Sequence, residues 1–430
     1  MKGWKSLKTG GIPANMTHAD LSMELMPCVR CGQCRSVCPV FLAKGVESDS
    51  PRGRVALVRA LLEGKIEPND LLAEKIEQCV LCRTCFQECP SGVHVERIIL
   101  AARERLGELR GIPLQKKILT RWLFPNASRL AVLLPFASRM QGLIGSRVFG
   151  GEYRLPRVRL PILGKRLLPN LSGRTIHAAI GEPGKLCRIE GKVVLFAGCM
   201  IRYAYPKVGR AVIEVLRQNR VEAMVPKDQI CCGLPALAAG DQETFNRVRE
   251  QNLKVLRSTE CDAIVTACAS CGSTLKEYYQ PELPIRIYDF AEFLTDHIPF
   301  QPPRGRLEGR ITYHDPCHLR KAQGIKDQPR WLLKNIPGSS FQDVVDPDRC
   351  CGFGGTFSLS CPSLSDEIGL TKVRALMRTG ADTVATACPG CMLHLANGLF
   401  QAQSKVRVMH LAEVLAASYR EARSNGGGAA

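Results

Sequence analysis

Two short cysteine runs carry the most specific chemistry. Residues 28–39 read C-V-R-C-G-Q-C-R-S-V-C-P, and residues 79–90 read C-V-L-C-R-T-C-F-Q-E-C-P. Each is C-x2-C-x2-C-x3-C-P. In this run, three thiolates wrap one corner of an iron–sulfur cubane. The fourth, beside a proline, leaves the loop to ligate the other of two clusters. The spacing therefore assigns Cys28, Cys31, Cys34 and Cys89 to one [4Fe–4S] cluster, and Cys79, Cys82, Cys85 and Cys38 to a second. C-x2-C pairs also build zinc ribbons. Zinc needs two such pairs and leaves the third cysteine, the fourth and the proline unexplained in both runs.

Ten further cysteines recur in register. Cys199, Cys231, Cys232, Cys268 and Cys271 are followed by Cys317, Cys350, Cys351, Cys388 and Cys391. Flanking blocks repeat with them: 193–199 with 311–317, 264–271 with 384–391, and 285–294 with 406–415. The offset stays near 118–121 residues, which is a duplication and far too long for a solenoid period. Five thiols per copy exceed the four that a cubane or zinc ion takes. Adjacent cysteines in one turn reach two irons of one compact cluster. Gly233 and Gly352 permit a positive φ or a close backbone approach there. Buried free thiols suit the unrepeated Cys187, Cys261 and Cys361, but not ten cysteines in register. Disulfides fail on five per copy and on compartment.

The elements that must hold these groups follow from periodicity. An arm over 1–27 ends in a short helix near His18. Helices are expected over Val55 to Glu63, Asn69 to Gln78 and Val95 to Arg110, a small helical domain around two clusters. Each later copy alternates strand and helix. Strands at 193–198, 263–267 and 284–288 are matched by 311–316, 383–387 and 405–409. Such alternation predicts a parallel sheet with ligands at the strands' carboxyl ends, so the cysteines should converge on one crevice. The expected fold is α+β multidomain. Its units are an α-helical ferredoxin domain (1–110), a basic apolar linker (111–190), α/β copy one (191–300), copy two (301–420) and a disordered tail (421–430).

Net charge is +19 over 430 residues. Such an excess points to nucleic acid, an anionic membrane surface or acidic partners. No nucleic-acid-binding motif is present, so nucleic acid is not expected, and part of the excess neutralises anionic clusters. Residues 111–170 hold eleven Lys or Arg and one acid, Glu152, interleaved with apolar side chains and broken by prolines. This segment reads three ways: lying on an anionic bilayer with Lys116, Lys117 and Arg121 facing lipid, packing on a partner subunit, or simply connecting domains. No apolar run is long enough to span a membrane, and the N-terminus has no signal-peptide pattern. A cytoplasmic protein is expected, with the inner face of the cell membrane as its peripheral site. No G-x-G-x-x-G follows a strand, so no NAD or FAD site is evident.

The pattern C-xn-C-C-G-xn-C-x-x-C, twice, resembles the cysteine-rich CCG domain of heterodisulfide reductase and its relatives. A two-cluster ferredoxin ahead of a tandem CCG pair resembles a narrower group. It holds the iron–sulfur subunit of glycolate oxidase and the corresponding cluster-bearing subunits of anaerobic glycerol-3-phosphate dehydrogenase and of heterodisulfide reductase. His314-Asp315-Pro316-Cys317-His318-Leu319 and Cys350-Cys351-Gly352-Phe353-Gly354-Gly355 look most like the glycolate/lactate oxidase subunit. The resemblance implies two [4Fe–4S] cubanes, and one or two further clusters, of the noncubane [4Fe–4S] type, on the CCG cysteines. It also implies an electron-transfer subunit of a flavin-dependent 2-hydroxy-acid (glycolate or lactate) dehydrogenase. A partner FAD-containing subunit would perform the hydride step, and a quinone or electron-transfer protein would receive the electrons. Two alternatives stand beside it: disulfide reduction at a CCG cluster, and a glycerol-3-phosphate dehydrogenase subunit. A structural zinc protein is a fourth. No catalytic residue is assigned. His314, Asp315 and His318 would tune a cluster, relay protons or satisfy local backbone. His94 is expected only near a cluster. Arg52 and Arg54 would pair with cluster or partner charge, or face solvent.

Overall fold

The computed structural model describes residues 18–123, 125–158, 166–171, 173, 175–176 and 191–426. The expected arm before His18, Cys187 and residues 427–430 lie outside them. In the first unit, Pro51–Leu62 begins on Ser50, whose hydroxyl accepts from the Gly53 amide. Asp70–Glu77 begins on Asn69, whose side chain accepts from the Leu72 amide. Val95–Arg110 follows. Their apolar stripes, with Leu21 and Leu25, close one core through Val55, Val58, Leu72, Ile76, Ile98, Ile99 and Leu106.

The basic segment is more regular than its prolines suggest. Ala127–Ile144 is one helix with Pro135 inside it, capped by Asn126. Proline removes one donor and kinks a helix without having to end it. Here Leu134 and Gln141 anchor the inner face on either side of the exposed proline. A small antiparallel sheet follows: β1 (Gly145–Val148), β2 (Tyr153–Pro156) and β3 (Leu168–Pro169). Gln141 ties helix to sheet by donating to the Pro169 carbonyl at 2.8 Å and accepting from the Leu171 amide at 3.0 Å. The opposite face of the helix exposes Val132, Leu133, Phe136, Met140 and Leu143.

Each repeated copy is a four-stranded, all-parallel sheet. Copy one holds β4 (Gly191–Leu195), β5 (Val221–Met224), β6 (Ala263–Thr266) and β7 (Arg286–Asp289) in the order β5-β4-β6-β7. Copy two holds β8 (Gly309–His314), β9 (Ser339–Phe341), β10 (Thr383–Thr386) and β11 (Arg407–His410) in the order β9-β8-β10-β11. β5 and β9 are edge strands that the sequence did not announce: both are short and lack an apolar run. The copies face each other at their strands' carboxyl ends. The Ala269 amide donates to the Ala387 carbonyl at 3.1 Å, and His410 Nε2 bonds the Ala267 carbonyl at 2.8 Å. They also exchange helices: Leu411–Gly426 packs on Pro206–Gln218 of copy one, and Phe290–Glu292 packs on Gln328–Lys334 of copy two. The last helix runs through Gly426, into the 421–430 tail for which disorder was expected.

Arg103 joins the units. It lies on the buried stripe of Val95–Arg110 and donates to four carbonyls: Ala238 in copy one at 2.8 Å, Ile76 at 3.2 Å, Glu77 at 2.8 Å and Cys79 at 2.7 Å. Arg103→Met would leave these carbonyls without their donor. The expected loss is about 2–4 kcal/mol of stability, read as a lowered denaturation midpoint of the anaerobic, metal-loaded protein.

Candidate metal centres

The two ferredoxin-type loops share one backbone. Arg30 and Leu81, each two residues after the first cysteine, have φ of 58°, and Gly32 and Arg83, two residues further on, have φ of 92° and 60°. Left-handed residues without a glycine's freedom cost of order 1 kcal/mol or more each, and they curl each loop around its own thiols. One cavity is lined by Cys28, Cys31, Cys34, Cys85 and Cys89. Another is lined by Cys38, Cys79, Cys82 and Cys85. Each thus draws three cysteines from one loop and adds thiols of the other: Cys89 with Cys85 in the first, Cys38 in the second. The donor sets suit [4Fe–4S] clusters in number and chemistry.

Arg54 contradicts a solvent-facing reading. It is buried on the stripe of Pro51–Leu62, donates Nε to the Lys75 carbonyl at 2.7 Å, and lines the second cavity with one guanidinium nitrogen, Nη2, unpartnered. A buried guanidinium nitrogen without a partner asks for negative charge beside it. Arg52 instead bonds Glu47 at 2.7 Å and the Arg30 carbonyl at 2.9 Å, bracing the first loop. His94 directly precedes Val95–Arg110, stacks on Phe86 at 4.1 Å and meets Glu96 at 3.3 Å, off both cavities. Cys261 and Cys361 take no part in the thiol clusters described below.

In the repeats the five thiols of each copy come together. Cys231 contacts Cys199 and Cys232, and Cys232 contacts Cys271, which contacts Cys268. In copy two Cys350 contacts Cys317 and Cys351, and Cys351 contacts Cys391 at 3.4 Å, which contacts Cys388. Hydrogen bonds from the neighbouring thiols, Cys231 or Cys350 first, hold Cys232 and Cys351 well below the ordinary thiol range. Gly233 and Gly352 take φ of 89° and 85°, as their place after the paired cysteines predicts. A Cβ on Gly352 would lie 2.7 Å from the Ser365 carbonyl.

The thiol groups also touch one another. Cys82 of the second cavity contacts Cys350 of copy two, and Cys388 of copy two contacts Cys268 of copy one. His318 spans this junction, with Nε2 3.3 Å from the Leu81 carbonyl and Nδ1 3.2 Å from Ser270 Oγ. Asp315 is taken up by Arg330, which grips it at 2.6 and 2.8 Å, so its role is local. His314 is fully buried, and burial, with Lys372 nearby, pushes its imidazole down to about 3, leaving it neutral.

Four buried cations among the described residues were not singled out from the sequence: Arg103, Arg202, Lys321 and Lys372. Lys321 donates to Thr84 Oγ1 and the Asp348 carbonyl, and Lys372 to the Asp346 carbonyl at 3.0 Å. Lys372 and Arg103 sit at apolar-stripe positions of their helices. A cation at such a position was the available signal.

Comparison with known proteins agrees with this arrangement. A 4Fe-4S dicluster domain matches residues 24–93, and a cysteine-rich domain matches 193–276 and 311–396. The chain is similar to a probable glycolate oxidase iron-sulfur subunit of Bacillus subtilis, 30% identical over 91% of this chain and 93% of that one. It is 28% identical to a fumarate reductase (CoM/CoB) subunit of Methanothermobacter marburgensis over 93% of this chain and 73% of that one. Lactate utilization protein A of Bacillus cytotoxicus matches 52% of this chain and 98% of its own length at 32% identity. Two ferredoxin-type thiol cavities ahead of paired CCG cysteine clusters, in a chain this similar over nearly its whole length, place it in the family of glycolate oxidase-type iron–sulfur subunits, the multi-cluster electron carriers of oxidoreductase complexes.

Proposed function

We propose that this chain conducts electrons from a flavoprotein subunit that oxidises a 2-hydroxy acid, glycolate or lactate, to a quinone or another carrier. One observation carries the reading: the thiol groups form an unbroken series. The first cavity shares Cys85 with the second, Cys82 of the second touches Cys350, and Cys388 touches Cys268. On this reading the ligand sets follow the cysteine spacing. Cys28, Cys31, Cys34 and Cys89 hold one cubane, and Cys79, Cys82, Cys85 and Cys38 the next. The five cysteines of copy two hold a third centre and those of copy one a fourth. Cys31 is exposed at the first cavity, so the series reaches the surface there, where a partner can dock.

The clusters, when bound, supply one-electron redox chemistry. The chain's own residues set its conditions. Arg54, Lys321 and Lys372 bring buried positive charge to the thiolates, and His318 locks the three units where their donors meet. The two-electron oxidation of the hydroxy acid belongs to the flavin on the partner. A second reading, disulfide reduction at copy two, is favoured by one feature. A cleft lined by Pro39, Leu42, Glu88, Asp348 and Arg349 reaches Cys350. Disulfide turnover by the isolated metal-loaded chain would select it.

A cytoplasmic chain resting on the inner face of the membrane fits the 127–144 helix. Val132, Phe136 and Leu143 are 76%, 65% and 71% exposed, and Arg129, Arg139, Arg147 and Arg157 are exposed around them. An apolar stripe ringed by cations suits an anionic bilayer. No described helix is long and apolar enough to cross a membrane. Lys116 and Arg121, expected to face lipid, instead ion-pair with Glu77 and Asp241; the lipid-facing cations on this reading are the four arginines.

Cys89→Ser should damage the cluster of the 28–34 loop and spare that of its own loop, as read by EPR of the reduced protein. Phe136→Asp with Leu143→Asp should weaken binding to acidic vesicles more than tenfold, and salt should weaken it further in the parent; unchanged binding returns the helix to a partner-docking role. In the reconstituted complex, Cys351→Ser or Cys388→Ser should block delivery to the terminal acceptor while stopped-flow reduction of the partner flavin by substrate proceeds unchanged. Turnover of glycolate or lactate by the flavin-free chain alone would end the electron-carrier reading.

A further inference from the structure

The two CCG copies differ along one buried row of strand ends. At the carboxyl ends of three neighbouring strands, copy two aligns His314, Thr386 and His410. Copy one has Phe196, Thr266 and Asp289 at the matching places. His410 is fully accounted for: it bonds the Ala267 carbonyl and accepts from the Ala412 amide at 3.1 Å. His394 bonds the Ser365 carbonyl at 3.0 Å, and His318 is held at both nitrogens. His314 is fully buried, and neither Nδ1 nor Nε2 has a hydrogen-bond partner.

That unpartnered ring points at thiols. One ring nitrogen of His314 and the Sγ atoms of Cys351 and Cys391 all lie within 4.8 Å of one another. Tetrahedral bonds of about 2.0–2.3 Å to nitrogen and sulfur place two ligand atoms roughly 3.5–3.8 Å apart. The trio is thus a small contraction away from a shared iron. A buried polar atom without a partner is costly, and coordination relieves that cost at one nitrogen.

We propose that His314 ligates an iron of the copy-two centre through a ring nitrogen beside Cys351 and Cys391, giving that centre a nitrogen donor that copy one lacks. The inference rests on reading copy two as an iron–sulfur site. The neutral ring donates a lone pair and keeps its proton on the other nitrogen, so ligation changes no oxidation state. Nitrogen ligation raises a cluster's potential relative to all-thiolate ligation. Copy two would then take electrons more readily than its twin, although the two share a five-cysteine pattern.

The test uses the full chain, loaded anaerobically, with pulsed EPR on protein carrying 14N- or 15N-histidine. Expected is a nitrogen hyperfine coupling of directly bonded size that changes with the label. His314→Phe, which installs the copy-one residue, should abolish it and lower one midpoint potential while the other centres keep theirs. His314→Cys should retain iron but lose the coupling, which covers the case in which the phenylalanine variant fails to assemble. No label-sensitive coupling in the parent, a coupling only of hydrogen-bond size, or one that persists in either variant would overturn the inference. Iron and sulfide analysis of the same samples tests the iron–sulfur reading separately.

Discussion

Negative charge buried away from water governs much of this structure. Thiolates ligating iron carry that charge into the interior, where it is costly unless cations or hydrogen bonds meet it. The chain places the cations on faces that should be apolar. Arg54, Arg103 and Lys372 each occupy a buried stripe of a helix, and each lies beside a cysteine loop or cluster. Part of the +19 excess is therefore interior and structural. Of the cations that show on the surface, Arg129, Arg139, Arg147 and Arg157 lie on or beside the 127–144 helix.

The same constraint explains why the domains are not beads on a string. Arg103 reaches from the ferredoxin unit to copy one, Arg83 pairs with Glu277 of copy one, and Lys321 of copy two reaches Thr84. These contacts bring the thiols of one unit against those of the next. Electron transfer falls off steeply with distance, so fixing the units to each other serves the function directly.

Much of this was legible in the sequence because cysteine spacing is a geometric code. The four-plus-four pattern predicted two thiol sites with Cys38 and Cys89 exchanged; Cys38 lines the second cavity and Cys89 the first, where Cys85 joins it. The register of the repeat specified that the CCG cysteines would meet at strand ends. Apolar periodicity placed the helices: those expected over 55–63 and 69–78 are Pro51–Leu62 and Asp70–Glu77. What stayed hidden was tertiary. Nothing local in β5 or β9 marks an edge strand that depends on its neighbour. Pro135 reads as a breaker because its effect depends on the residues anchoring the helix around it. The contact between Cys82 and Cys350 joins residues 268 positions apart, and no spacing rule covers it.

The exchange of closing helices between the CCG copies bears on how the protein is made. Helix 206–218 of copy one is covered by the final helix, 411–426. On the ribosome, helix 206–218 emerges some two hundred residues before the element that seals it. The sheet of copy one can form early, but one flank stays bare until residues 411–426 are made. Both ferredoxin loops, by contrast, are complete within the first ninety residues. Iron delivery to the nascent chain therefore meets two windows: an early one for the ferredoxin thiols and a late one for the CCG pair. A chain cut short before residue 411 would lose the closure of the copy that precedes the break by more than a hundred residues, as well as the end of the copy it truncates.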